Sequence, residues 1–289
     1  GKYIAATRFG DTTMAEIISN MVGREIKEKF PRVEAPLGRT ILRVKGLNAG
    51  RQVRDVGFEL REGEIVGVAG LMGAGRTEMT RALFGADPKD GGEILLDDHP
   101  LRIEKPMDAI EAGIVLVPED RKKDGLCTKL SIRENVALPN LDILKGLLST
   151  VNSGGERKMV ERTVKNLSIR LSNAEQNADS LSGGNQQKLV VGKWLARDFR
   201  VALFDEPTRG IDVAAKAEIY HLMNDLKMRG LGVLFISSEM PEILGIADRI
   251  IVMCDGRVTG EFPAGTATQE KILEYATRFE DKLGLAAGD

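Results

Sequence analysis

Residues Ile65 to Glu78 read Ile-Val-Gly-Val-Ala-Gly-Leu-Met-Gly-Ala-Gly-Arg-Thr-Glu, and the pattern changes character twice within them. Ile65–Ala69 is a short apolar run of the kind that forms a strand buried on both faces. Gly70-Leu71-Met72-Gly73-Ala74-Gly75 then carries glycine at both ends of a six-residue span, and a helical pattern follows through Glu78–Phe84. In a strand–loop–helix setting, such a loop turns its backbone N–H groups inward onto phosphate oxygens, helped by the helix N-terminus. Arg76 adds a positive charge, and Thr77 is placed to put its hydroxyl on Mg²⁺. Gly70, Leu71, Met72, Gly73, Ala74, Gly75, Arg76, Thr77 and Glu78 are therefore the expected phosphate cradle for a nucleoside triphosphate. Arg76 stands where phosphate loops usually carry Lys. Its wide planar fork does not replace a compact ammonium, which puts efficient hydrolysis in doubt.

A second anchor lies downstream. The apolar strand Val201-Ala202-Leu203-Phe204 ends in Asp205-Glu206. It delivers Asp205 to the Mg²⁺ shell and Glu206 beside the γ-phosphate, where it can polarise an attacking water as general base. A third stretch, Leu181-Ser182-Gly183-Gly184-Asn185-Gln186-Gln187, opens a helix about twenty residues before Asp205. Its Ser hydroxyl and Gly N–H groups make a further anion site. One nucleotide does not need two such sites from one domain, so this one is expected to serve a nucleotide held by a facing domain. A flexible helix cap is the plainer alternative.

Around these anchors, Ile114–Val117, Val233–Ile236 and Ile250–Met253 also read as buried strands. Gln186–Ala196, Ala215–Lys227 and Glu242–Ile246 carry helical spacing. Alternation of the two kinds predicts α/β layering around a largely parallel sheet. Residues 131–179 show no clear strand and read as a helical insert. Asp255-Gly256 reads as a tight hairpin turn. The basic cluster Arg121–Lys123, flanked by Asp120 and Asp124, reads as a solvated loop.

Composition narrows the function classes. Lys and Arg number 41 against 43 Asp and Glu, so nothing global argues for a nucleic-acid partner. Cys127 and Cys254 form no metal-spaced pair and suit a reducing compartment. Only His99 and His221 are available as histidines. No apolar run approaches the ~18 residues of a spanning helix, and Gly1-Lys2-Tyr3 does not begin a basic-then-apolar leader. The expectation is a cytosolic chain that reaches a membrane only through a partner.

The three anchors, in this order, resemble the ATP-binding-cassette (ABC) ATPase family over about residues 41–276. The resemblance implies a P-loop cassette with a mostly parallel core sheet, an antiparallel β subdomain and a helical subdomain. It also implies two cassettes paired head to tail, each ATP lying between the phosphate loop of one and the LSGG segment of the other. Gly70–Glu78, Val117–Leu126, LSGGNQQK and Ser237–Glu242 look like the second cassette of monosaccharide importers of the ribose, galactose and xylose type. In those, two cassettes are fused in one polypeptide. The expected domains are 1–40 as the tail of a preceding cassette plus linker (Pro31–Thr40), 41–278 as the cassette with a helical subdomain at about 128–182, and 279–289 as a tail. An internal echo agrees: at an offset of 255, Gly1, Gly10, Thr13 and Ile17 match Gly256, Gly265, Thr268 and Ile272. An ordinary N-terminal hairpin and a helix over Thr13–Met21 is the alternative.

Carried over residue by residue, the family pattern places Ser182, Gly183, Gly184 and Gln186 on the neighbour's nucleotide, and Asp212 in the loop that communicates across the pair. Glu119 stands where a Gln contacts Mg²⁺ and the lytic water. Ser238 stands in place of the switch His that holds the γ-phosphate. No Tyr or Phe lies near Leu47–Val53 to stack on adenine. Arg76, Glu119 and Ser238 all fall around the nucleotide of this cassette, while the LSGG segment is intact. The expectation is asymmetric: a slow or non-hydrolytic site of its own, and Ser182–Gly184 completing a competent neighbour. Implied ligands are ATP and Mg²⁺. Implied partners are a first cassette in the same polypeptide or a homologous one, membrane permease subunits and, indirectly, a periplasmic or extracellular sugar-binding protein. The implied location is the cytoplasmic face of the cell membrane. A soluble cassette ATPase without a permease, a nucleoside importer and an ATP-binding module without turnover are the competing readings.

Overall fold

The computed structural model describes residues 30–146 and 150–278. The expected helix at Thr13–Met21, the matching positions Gly1, Gly10, Thr13 and Ile17, and the 279–289 tail lie outside them.

From its first residue Thr40, strand β1 (Thr40–Ala49) turns back into β2 (Val53–Arg61), and β3 (Ile65–Gly70) follows. The phosphate-loop segment leads into helix α1 (Arg76–Phe84). Next come β4 (Gly91–Leu96), β5 (His99–Pro100), α2 (Pro106–Glu111) and β6 (Ile114–Val117). Three helices supply the insert and its exit: α3 (Ile132–Ala137), α4 (Ser153–Asn166) and α5 (Gly183–Leu195). The chain then alternates β7 (Val201–Asp205), α6 (Val213–Met228), β8 (Gly232–Ile236), α7 (Met240–Ile246) and β9 (Arg249–Cys254). It closes with β10 (Arg257–Pro263) and α8 (Gln269–Ala276).

Two sheets result. The larger has order β10-β9-β3-β8-β7-β6, parallel throughout except for the β9–β10 hairpin at its edge. β3, β6 and β8, and β7 as far as Phe204, are apolar because helices cover both faces. Val68 pairs with Ile236, and Ile236 with Asp205, so the loops after β3, β8 and β7 leave from one edge. That carboxyl edge is where open α/β sheets bind ligands. The hairpin turn is Asp255-Gly256 as its dipeptide predicts, with φ of 46° and 75°.

The smaller sheet, β2-β1-β4-β5, is antiparallel. Helices α3, α4 and α5 pack on one another as the insert. Trp194 on α5 anchors them to the large sheet through Nε1 to the Leu116 carbonyl at 2.9 Å, with its ring edge-on to Phe84. Among the described residues, pairing within the insert is limited to single bridges at Ser131–Asn177 and Lys145–Val151.

The segment read as a linker behaves differently from a free tether. Residues 31–39 lack regular structure, yet they are strapped to the cassette. Asn224 Nδ2 donates to the Pro31 carbonyl, and buried Lys227 donates to the Val33 carbonyl at 2.6 Å. Lys227 also pairs with Asp248, whose other oxygen accepts from the Ile65 N–H at the head of β3.

Candidate nucleotide site

Gly75 ends the phosphate loop as the N-cap of α1, with φ 93°. A side-chain carbon there would lie 1.9 Å from the Gln52 carbonyl oxygen, so only glycine lets the loop lie against the β1–β2 turn. Leu71 is half-buried, Met72 and Gly73 are exposed at the loop tip, and Ala74 and Gly75 are buried. Glu78 accepts from Gln52 Nε2 at 2.9 Å, fixing the cradle to the same turn.

Thr77 Oγ1 donates to Asp205 Oδ1 at 3.2 Å, which brings the expected metal pair together across β3, β8 and β7. Burial pushes the Asp205 carboxyl up to about 6; Glu206 adds to the rise, while the Thr77 bond and Arg76 oppose it. A buried carboxylate beside a hydroxyl is a hard oxygen donor set short of positive charge. It fits Mg²⁺, which takes one or two protein oxygens and fills its shell with water and phosphate oxygens.

Glu206 sits one residue on, buried, with a left-handed φ of 46°. Its Oε2 accepts from Ser238 Oγ at 3.1 Å, and its Oε1 lies 3.8 Å from Arg76 Nη2. Arg76 Nη1 donates to the Ser237 carbonyl at 2.9 Å. The structure thus gathers Arg76, Thr77, Asp205, Glu206 and Ser238 at the mouth of the cradle. It does not gather Glu119, whose carboxylate is spent on the Arg209 guanidinium. Among the described residues no three His, Cys, Asp or Glu side chains converge as a metal cluster.

A second anion-type surface lies at the start of α5. Ser182 is its N-cap and is exposed. Gly184 packs so tightly on α6 that a side-chain carbon would come 2.7 Å from Ala215 Cβ. Asn185 donates through Nδ2 to Ser182 Oγ at 2.9 Å, and both line a small cavity of about 160 Å³ with Gly184, Lys188, Arg170 and Asp212. Asp212 also caps α6 by accepting from the Ala215 N–H at 3.0 Å. Gln186, expected on the nucleotide face, turns inward instead. It is buried, accepts from Arg121 Nε at 3.2 Å and donates to the Ala178 carbonyl. Helical periodicity explains this, because one residue's step of about 100° moves the side chain from the open face to the packed one. Asn185 is the neighbour left facing out.

Arg121–Lys123 is also more than a solvated loop. Asp120 accepts from the N–H groups of Lys122 and Lys123 and caps a single π-helical turn, Arg121–Gly125. Those backbone bonds hold the Asp120 carboxyl below its usual range. Lys122 and Lys123 are exposed, but Arg121 reaches across to Gln186 and to the carbonyls of Arg209 and Gly210. It links the turn after β6, the start of α5 and the loop before Asp212. Sequence spacing carries no sign of this link, since its partners lie 65 to 89 residues away.

The sequence matches a family model described as ABC transporter over residues 53–209. A putative ribose/galactose/methyl galactoside import ATP-binding protein of Burkholderia cenocepacia (strain HI2424) is 49% identical over 286 residues, covering 98% of this chain and 56% of that protein. The ribose import ATP-binding proteins of Bacillus subtilis (strain 168) and Clostridium tetani (strain Massachusetts / E88) are 47% and 43% identical, covering 96% and 97% of this chain and 56% of each relative. The chain therefore spans about half the length of these curated relatives. Among solved structures, a dimeric bacterial ABC transporter cassette aligns with TM-score 0.67 at 24% identity, over 78% of this chain and 99% of that one. An ATP-binding cassette in its ADP conformation aligns with TM-score 0.64 at 19% identity, over 87% and 100%. At these identities the structures speak for the fold, a P-loop cassette.

Proposed function

The chain belongs to the ABC transporter family, and on that premise we propose that it is an ATP-binding cassette energising import of a carbohydrate through a membrane permease. ATP is held by Gly70–Glu78, with Mg²⁺ on Thr77 and Asp205. The ion, when bound, neutralises phosphate charge and orients the terminal phosphoryl group. This chain's residues do the rest: the loop amides hold the phosphates, Glu206 faces the attacking water, and Ser238 and Arg76 border the γ-phosphate.

The site is a holding site. The carrying observation is that Arg76 turns back onto Glu206 and the Ser237 carbonyl. A guanidinium lodged against the general base occupies the carboxylate oxygen that an attacking water would have to approach. Ser238 already donates to the same carboxylate. Glu119, on this reading, meets the water or metal only after leaving Arg209.

Ser182, Gly183, Gly184 and Asn185 then complete the nucleotide site of a facing cassette, supplied by the same polypeptide or by a homologue. The half-length match to the curated relatives supports the fused arrangement, as does the 255-residue echo. Sugar import follows from the relatives' names. A sugar-binding protein outside the cell would reach this chain only through the permease, placing the chain at the cytoplasmic face of the membrane.

Substituting Arg76→Lys, Glu119→Gln and Ser238→His together in the full polypeptide tests the holding site. ATP turnover should rise by about tenfold or more, because one well-placed donor at a developing charge is worth that much. Unchanged turnover at unchanged ATP affinity would contradict it.

A further inference from the structure

Glu242 has no part in the site as described above, yet its surroundings are built for a carboxylate. It lies in the first turn of α7 and is 1% exposed. Its Oε2 accepts from Thr208 Oγ1 at 2.7 Å and Ser237 Oγ at 2.8 Å. Its Oε1 accepts from Tyr220 OH at 2.6 Å and Lys216 Nζ at 2.9 Å. Burial alone would push this carboxyl up, but the hydrogen bonds, led by that from Tyr220, hold it below the usual range. A buried charge is strongly destabilising unless it is this fully partnered. Such an arrangement is seldom an idle feature of packing.

The two segments it joins are the ones that carry Glu206 and Ser238. Thr208 follows Glu206 by two residues, and Ser237 precedes Ser238. Glu206 holds a left-handed backbone, which strains a non-glycine residue and persists only where neighbours fix it. The Ser237 carbonyl in turn receives Arg76. One carboxylate therefore fixes, from behind, the turn bearing Glu206 and the turn bearing Ser238 and the Arg76 acceptor. Its other oxygen holds Tyr220, whose ring meets Phe30 of the incoming strap at 5.8 Å.

We propose that Glu242 is a positioning residue for the third phosphate: it keeps Glu206, Ser238 and Arg76 in mutual register without touching nucleotide. The proposal rests on the nucleotide reading above. Its consequence is selective. The cradle amides of Gly70–Thr77 do not depend on Glu242, so a diphosphate binds without it. A triphosphate needs the wall that Glu242 sets.

The test is equilibrium binding of ATP and ADP, each with Mg²⁺, to the unaltered chain, Glu242→Gln and Thr208→Val. Melting temperatures are recorded beside the affinities. Gln keeps the shape but puts an amide N–H₂ in place of one acceptor oxygen. Val keeps the shape of Thr208 and removes a single tether, leaving Glu242 three donors, so it reports even if Glu242→Gln folds poorly. The ATP dissociation constant should rise about tenfold in Glu242→Gln and about threefold in Thr208→Val. That of ADP should stay within about twofold. Equal weakening of both nucleotides, or of neither, would overturn the positioning role and leave a structural one. An unaltered chain that binds neither nucleotide would instead overturn the reading beneath it, and this proposal with it.

Discussion

At the scale of single residues, Asp205 carries the largest electrostatic cost in the site. Its folded-state value of about 6 lies above the ordinary 3.8. The folded protein therefore binds the proton more tightly than the unfolded chain does. The penalty is absent below about pH 4, grows through the window between the two values, and is fully present above about pH 6. Asp205→Asn removes the charge and keeps the shape. In nucleotide-free protein it should stabilise the fold by up to about 3 kcal/mol at pH 8, with the gain vanishing as pH falls toward 4. Thermal melts across that range check this; a gain independent of pH would point to packing instead. Gly75 makes the opposite case. Gly75→Ala forces a carbon onto the Gln52 carbonyl at 1.9 Å in a left-handed backbone, and should cost about 2 kcal/mol or more. Chemical denaturation with the slope unchanged is the measurement.

At the scale of elements, the large sheet was legible and the small one was not. β3, β6, β7, β8 and β9 are short, apolar and flanked by helical periodicity, so their bounds fall within a residue of the patterns that mark them. β1 is ten residues long, but its alternation is broken by irregular register between Val44 and Leu47 and again before Ala49. The first of these breaks moves the buried set from Leu42 and Val44 to Leu47 and Ala49, the other phase of the strand. The antiparallel sheet was therefore available only through family resemblance. The site divides in the same way. Gly70–Thr77, Asp205 and Ser182–Gly184 announce themselves by local chemistry. The inward turn of Gln186 is a matter of helical phase at the start of α5, whereas the Glu119–Arg209 pair and the reach of Arg121 are tertiary and leave no local pattern. Arg121→Ala tests that last link. Amide exchange should quicken at the start of α5 and in residues 208–212 together, while β3 stays protected. Quickening at only one of the two would break the link.

At the scale of the whole chain, the cassette is clasped where the preceding segment enters. Lys227 is 2% exposed and joins the strap, through Val33, to Asp248 and so to the head of β3. Lys227→Met would leave Asp248 without its closest cation and free the Val33 carbonyl. A loss of roughly 3 kcal/mol is expected, with proteolytic cleavage appearing first within residues 31–39. Cleavage elsewhere first would contradict the clasp. The strap also meets Tyr220, and Tyr220 meets Glu242. The incoming chain thus abuts the same cluster that braces Glu206 and Ser238.

The central claim is the asymmetry: the chain's own nucleotide is held, and its Ser182–Gly184 segment works for a neighbour. Transport by the full polypeptide carrying Arg76→Ala, compared with Ser182→Arg, tests it most directly. Ser182→Arg should reduce transport by about a hundredfold or more, since a large cation at the α5 N-terminus blocks the neighbour's site. Arg76→Ala should stay within about threefold of the unaltered protein, because it touches only the holding site. Equal losses in the two variants would contradict the claim.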